Sequence, residues 1–356
     1  MVQLMKKLLI LSGMLYSLSN NPVTAQIKNS GEQITILDSI KKEKVHYAKE
    51  LLDLEKEAGF NVQLSDYQTL DSIVNKLGKD IFFGGADENY KKIQAINNLK
   101  GIDLTLKNSN FSYKNEPELL FCESLKTKNL NSIHFLILYL EVASKKKFQI
   151  VPMKIGEHFF ARYALDSLNF INWETTFGEE QPGELYKKFI KENKEIKPLT
   201  ENEFLSGEYR AIGFFLNKTK QFKKSIEYFN KAIEIDSTNS RAYKLLGDSY
   251  NALGDKNNSL KNYSMAVGLD ESFLDAYIAR AEIFYKKKNL LEALKDYTKA
   301  IELAPENPEF YKIRGDIYRG DIYSPYSKKG DVWDGEKKPK LAQKDYEKAL
   351  ELILKK

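Results

Sequence analysis

His158 and Glu174 stand in two consecutive strand-like runs, His158 to Tyr163 and Leu168 to Thr175. If Ala164 to Leu168 forms the loop between them, Tyr163 falls opposite Asn169 and His158 falls opposite Glu174. Directly opposed side chains on one face of an antiparallel pair are close enough to interact. A carboxylate beside an imidazole fixes its tautomer, and an imidazole so held can take the proton of a nucleophile. Two residues upstream could be that nucleophile. Ser132 opens the apolar helical stretch Ile133 to Lys147, and Cys122 ends Leu119-Leu120-Phe121-Cys122. A serine hydroxyl ionises far less readily than a thiol, and at a helix start its simpler role is to accept a backbone N–H, a role Asn131 can also fill. The apolar neighbours of Cys122 suit a buried, inert thiol. Two alternatives follow: a cysteine or serine amide hydrolase or acyl transferase using His158 and Glu174, or a His-Glu pair that serves only the fold.

The elements that would hold these residues are a mixed set. Ile36 to Ala58 carries an apolar stripe at helical spacing and Gly59 as its stop; shorter helices are expected at Leu70 to Leu77 and Glu88 to Leu99. Phe148 to Ile155 reads as a further strand. From Ser206 the character changes. Taking Ser206, Ser240, Leu274 and Pro308 as starts, the chain repeats every 34 residues. The fourth position is Tyr209, Tyr243, Tyr277 and Tyr311, and the eighth is Gly213, Gly247, Ala281 and Gly315. The eleventh is Leu216, Tyr250, Phe284 and Tyr318. Phe229, Tyr263 and Tyr297 recur at the twenty-fourth position, and Ala232, Ala266 and Ala300 at the twenty-seventh, with Pro305 closing the third unit. In the fourth unit Arg319 to Gly335 reads as an inserted loop, after which Ala342, Tyr346 and Ala349 resume the pattern.

These positions identify residues 206–239, 240–273, 274–307 and 308–353 as resembling tetratricopeptide repeats, helix pairs that bury their faces only by stacking. Upstream, Leu138-Tyr139-Leu140-Glu141-Val142-Ala143, then Gly156-Glu157-His158-Phe159-Phe160-Ala161-Arg162-Tyr163, then Asn172-Trp173-Glu174-Thr175-Thr176 resemble the core helix, histidine strand and acidic strand of the transglutaminase-like superfamily, in its bacterial branch that carries such repeats. The resemblance implies an α+β, papain-like domain over 26–200 followed by an all-α solenoid over 201–356. It also implies a catalytic Cys at the start of the core helix, where the helix N-terminus lowers a thiol pKa. Ser132 stands there instead, so the resemblance points to a catalytically degenerate member. Thr200 and Glu203 form a capping-box pattern that starts the first repeat helix at Glu201, with no flexible linker before it.

Residues 1–25 belong to neither domain. Lys6 and Lys7 precede the apolar run Leu8 to Leu18, and Val23-Thr24-Ala25 supplies the small residues a signal peptidase requires before Gln26. That order predicts an exported protein, periplasmic or secreted, with no stable membrane insertion after cleavage. Removing the two lysines lowers the formal net charge from +5 to +3, and runs such as Lys145-Lys146-Lys147 are balanced by nearby acids, so no nucleic-acid footprint is expected. Cys122 is the only cysteine, which excludes an internal disulfide. His46, His134 and His158 lie far apart and show no ligand spacing with Cys122, and Gly84-Gly85 follows no convincing strand; neither metal nor cofactor is expected.

The repeat stack should present its inner surface through first-helix positions that share a face distinct from the packing positions. The fifth position reads Arg210, Lys244, Ile278 and Lys312, and the ninth reads Phe214, Asp248, Glu282 and Asp316. Grooves that clamp a C-terminal carboxylate resemble one another in carrying Lys and Asn there. Three acids in this row favour a protein or peptide partner with a polar or basic extended segment.

Overall fold

The computed structural model describes residues 47–77, 88–114, 120–146, 150–155, 158–164, 170–174, 179–180, 196–320 and 337–355. The expected export segment, the expected helix before Tyr47, Gly84-Gly85 and residues 321–336 of the insertion lie outside them. Apart from residues 117–120, the chain divides between Leu199 and Thr200 into two compact units.

The first unit contains helices α1 (Tyr47–Glu57), α2 (Leu64–Leu77), α3 (Glu88–Asn108), α4 (Phe121–Thr127) and α5 (Ser132–Lys146). Strands β1 (Ser112–Tyr113) and β2 (Asn129–Leu130) form a short parallel pair. An antiparallel sheet joins β3 (Ile150–Ile155), β4 (His158–Ala164), β5 (Phe170–Glu174), β6 (Glu179–Glu180) and β7 (Ile196–Pro198) in the order β6-β5-β4-β3-β7. Helix α5 is its centre. Phe135, Leu136, Ile137, Leu138, Tyr139, Val142 and Ala143 are all buried, as expected of a helix that is apolar all round. Trp173 of β5 is also buried, and its Nε1 donates to the Tyr139 hydroxyl at 3.1 Å, which in turn donates to the Leu99 carbonyl at 3.4 Å. Sheet, α5 and α3 are thereby tied together, with both polar tips satisfied.

Three expectations shift. Helix α1 ends at Glu57, and Gly59, with a φ of 93°, takes the left-handed turn that closes it. Helix α2, however, begins at Leu64 rather than Leu70, with Asp66 accepting the Gln63 N–H at 2.8 Å; Leu64 is exposed, so this turn carries no apolar stripe. Helix α3 runs on past Leu99 to Asn108 because Ala95, Leu99, Ile102 and Leu106 continue one buried stripe. Gly101 faces open space, and its intrinsic penalty of about 1 kcal/mol is overruled by that packing.

The β4–β5 register is the third correction. Ala161 pairs with Trp173, Arg162 with Asn172, Tyr163 with Ile171 and Ala164 with Phe170, two residues away from the expected pairing. His158 stands opposite Ile155 of β3, and Glu174 opposite Glu179 of β6. A slip of two keeps every side chain on its own face, so apolar alternation does not separate the two registers. The directly opposed Arg162 and Asn172, joined at 2.9 Å, accompany the observed one.

The second unit is four helix pairs: α6 (Glu201–Lys218) with α7 (Phe222–Ile235), α8 (Ser240–Ala252) with α9 (Lys256–Leu269), α10 (Leu274–Lys286) with α11 (Leu290–Leu303), and α12 (Pro308–Gly320) with α13 (Lys337–Leu354). Thr200 caps α6 as its spacing requires: the Glu203 N–H reaches Thr200 Oγ1 at 3.2 Å, and the Thr200 N–H reaches Glu203 Oε2 at 3.0 Å. Within each pair an aromatic ring of the second helix lies on a small residue of the first. A Cβ built on Gly213, Gly247 or Gly315 would stand 2.7, 2.5 or 2.9 Å from Phe229, Tyr263 or Tyr346. Between pairs, Ala266 and Val267 pack on Ala276 with Tyr243, Phe273 and Tyr277, and Ala300 and Ile301 repeat the arrangement on Phe310. Tyr346 in α13 takes the place of Tyr263, so the insertion leaves the packing register of the fourth pair intact.

Candidate functional site

Of the residues that could do acyl chemistry, Cys122 lies in the first turn of α4 with no exposed surface. Its backbone N–H donates to Glu55 Oε2 at 2.8 Å, and burial followed by the Glu55 charge pushes its thiol pKa up, away from the thiolate. Ser132 is the first residue of α5 and half-buried, but it is not the cap. Asn131 Oδ1 accepts the His134 N–H at 2.9 Å, so the bland role expected of Ser132 belongs to Asn131. His158 opens β4 and Glu174 ends β5; they are not directly opposed, and their side chains lie outside the described ones. Helix α5 packs on β4, which brings the elements carrying Ser132 and His158 together.

Asn131→Ala is expected to destabilise the first unit by about 1 kcal/mol, because it orphans a buried N–H, whereas Ser132→Ala should leave stability nearly unchanged. Urea unfolding of the Trp333→Phe chain followed through the buried Trp173 reads both.

Sequence reasoning missed two buried groups nearby. Glu55 is wholly buried, and the signal for it was its position: it falls on the same stripe as Ala48, Leu51, Leu52 and Ala58. His134 is buried in the middle of an apolar run, its Nδ1 lying 2.8 Å from Ser124 Oγ, and burial holds its pKa down at about 3. It is therefore neutral and inside the core. No group of His, Cys, Asp and Glu among the described residues could hold a metal ion. No helix among them is long and apolar enough to cross a membrane.

In the second unit the fifth and ninth positions differ from pair to pair. Lys244 donates to Asp248 Oδ2 at 2.9 Å, and the Tyr263 hydroxyl donates to Asp248 Oδ1 at 2.8 Å, so both oxygens of this acid are engaged. Asp316 accepts from the Tyr346 hydroxyl at 2.7 Å and stays exposed. Glu282 is exposed and sits 3.9 Å from Lys286. Lys312 is 3.8 Å from Glu309. Ile278 is turned partly into the packing against Ala300 and Phe310. Arg210 is half-buried, and Phe214 stacks edge-on to Phe215 at 5.9 Å with the Lys218 ammonium 5.3 Å from its ring centre. The acidic row is thus most accessible at Glu282 and Asp316, in the third and fourth pairs.

Two partly buried ion pairs escaped the sequence reading. Arg280 grips Asp296 with two hydrogen bonds, 2.8 and 2.7 Å, and reaches Ser264 of the preceding pair at 3.1 Å. Arg314 repeats this on Asp345 at 2.8 and 2.8 Å, and on Thr298 at 3.3 Å. Each arginine thus joins three helices.

Family models described as tetratricopeptide repeat match residues 274–307 and 211–239. Among curated proteins, the DnaJ homolog subfamily C member 7 homolog of Dictyostelium discoideum is 29% identical over 99 residues, which is 27% of this chain and 18% of that protein. The chain therefore spans less than a fifth of this relative. Among solved structures, MamA is 22% identical, with 48% of this chain and 85% of that chain covered and a TM-score of 0.36. The first tetratricopeptide domain of Spaghetti (RPAP3), bound to the HSP90 peptide SRMEEVD, is 23% identical, with 33% and 92% covered and a TM-score of 0.31. The second unit carries tetratricopeptide repeats, a scaffold for protein–protein interaction.

Proposed function

We propose that the protein is an exported interaction module, cleaved before Gln26, in which a catalytically degenerate transglutaminase-like domain is joined to a tetratricopeptide scaffold that captures an extended, cation-bearing segment of another protein. The observation that carries the reading is the row of carboxylates at one face position of successive repeats, Asp248, Glu282 and Asp316, of which the last two remain exposed. Oppositely charged segments are favoured along such a row, and like-charged ones are repelled. The buried Cys122, with its pKa raised, and the serine at the first position of α5, where the resemblance implies a cysteine, support the degenerate reading of the first unit.

The test is titration of the intact protein with short extended peptides of one length that carry Lys, Ser or Glu at alternate positions. The lysine peptide should bind best, and its affinity should fall as salt is raised, since exposed charges are screened. Preference for the glutamate peptide would reject the reading.

A further inference from the structure

Three helices of the first unit, α1, α4 and α5, are tied into a ring by buried titratable side chains, one at each junction. Glu55 lies in the last turn of α1, wholly buried, and sets its carboxylate astride the start of α4. Its Oε1 accepts the Phe121 N–H at 2.5 Å and its Oε2 the Cys122 N–H at 2.8 Å, and the Cys122 thiol also bonds to it. Glu141, on α5 and 5% exposed, accepts the backbone N–H of Ala48, the second residue of α1. His134, in the first turn of α5 and 1% exposed, closes the ring through Ser124 of α4 and lies edge-on to Phe121 at 5.2 Å. Its Nε2 makes no hydrogen bond among the described residues.

Two opposing forces act at each carboxylate junction. The free N–H groups and the positive end of a helix favour a negative charge there, while burial disfavours it. Titratable neighbours come from every helix around them: Glu123 and Lys126 of α4 and the neutral Tyr67 of α2 beside Glu55 and Cys122, and Glu50 of α1, Asp71 of α2 and Lys145 of α5 beside Glu141. Burial is the largest influence on both glutamates and lifts each from an ordinary 4.5 to about 7. It also holds His134 at about 3 instead of 6.5.

We propose that this ring is a proton-operated clasp: proton uptake at Glu55 and Glu141 tightens the three-helix body in mild acid, release toward neutral pH loosens it, and His134 sets the acid limit. The direction follows from which state holds more protons. A carboxyl raised on folding contributes stability that is present below its unfolded value of 4.5 and lost as pH rises through about 7. An imidazole lowered on folding contributes stability that is present above 6.5 and lost as pH falls toward about 3. Between these unfolded values the folded unit holds two protons the unfolded chain has released, and the unfolded chain holds one that the folded unit excludes. The folded unit is ahead by one.

The experiment is urea unfolding of the full chain carrying Trp333→Phe, a residue outside the described ones, so that Trp173 alone reports the first unit. From about pH 6.5 to about pH 4.5 the unfolding constant should fall, about tenfold per pH unit near pH 6 and less toward pH 4.5 as the unfolded carboxyls take up protons, roughly 30-fold in all. Glu55→Gln or Glu141→Gln alone should flatten that slope, and the double variant should reverse it, its constant rising as pH falls. If Glu55→Gln does not fold, Glu141→Gln still has to flatten the slope. His134→Asn should steepen it to about 100-fold per unit. A wild-type constant that is flat or rises on acidification, or a slope untouched in the glutamine variants that fold, overturns the clasp.

Discussion

Gly247→Leu is expected to destabilise the repeat unit by about 3 kcal/mol, the upper end of what overpacking usually costs. Even a first carbon there would stand 2.5 Å from Tyr263 Cε1, and that ring has nowhere to retreat: it is 1% exposed, and its hydroxyl is fixed to Asp248 at 2.8 Å. Leucine adds three carbons beyond the one that already collides, so α8 and α9 must separate. Gly268, near the end of α9, is the control. A carbon added there meets nothing within 4 Å, so Gly268→Ala should raise stability by about 0.5 to 1 kcal/mol through helix propensity alone. Urea unfolding of the full chain followed by far-UV circular dichroism compares the two. Similar effects from both would mean that the aromatic-on-glycine contact does not hold the pair together.

Arg280→Ala should cost a comparable amount, about 3 kcal/mol, because it strands the Asp296 carboxylate, whose side chain is only 5% exposed. The loss is set by the unpaired charge rather than by the worth of the pair. The second unit of the stack shows the alternative, with Leu246 and Asn262 at the two corresponding positions. Arg280→Leu combined with Asp296→Asn is therefore expected to recover most of the stability lost in the single variant. A double-mutant cycle in urea, with Arg280→Leu and Asp296→Asn made singly and together, measures it; simple additivity of the two losses would contradict the assignment of the cost to a stranded charge.

The repeats were legible because the residues that pack them recur in both type and place: Gly213, Gly247 and Gly315 under Phe229, Tyr263 and Tyr346 are one contact written three times. The arginine clamps were not, since Arg280 and Asp296 break no packing rule and meet only when two helices fold back on each other. In the first unit α5 was legible from its apolar run; the polar first turn of α2 was not, and the far half of α3 was missed although its stripe of Leu99, Ile102 and Leu106 continues past Gly101. The hairpin of His158 and Glu174 was misplaced by two residues because the period of a strand leaves that slip invisible. Glu55 and His134 were hidden for a related reason. A polar residue on a buried stripe looks like noise until the helix ends it satisfies are brought to it from elsewhere in the chain.

The measurement that bears most directly on capture of a cationic segment is titration of the alternating lysine peptide onto the intact protein and onto its Glu282→Lys, Asp316→Lys form. Both side chains are exposed, so the reversals should change folding little, though Asp316 gives up its bond from Tyr346. The account predicts that the lysine peptide loses at least about tenfold in affinity and that the glutamate peptide gains. Equal affinity of the lysine peptide for both forms, at low salt and high, would contradict it.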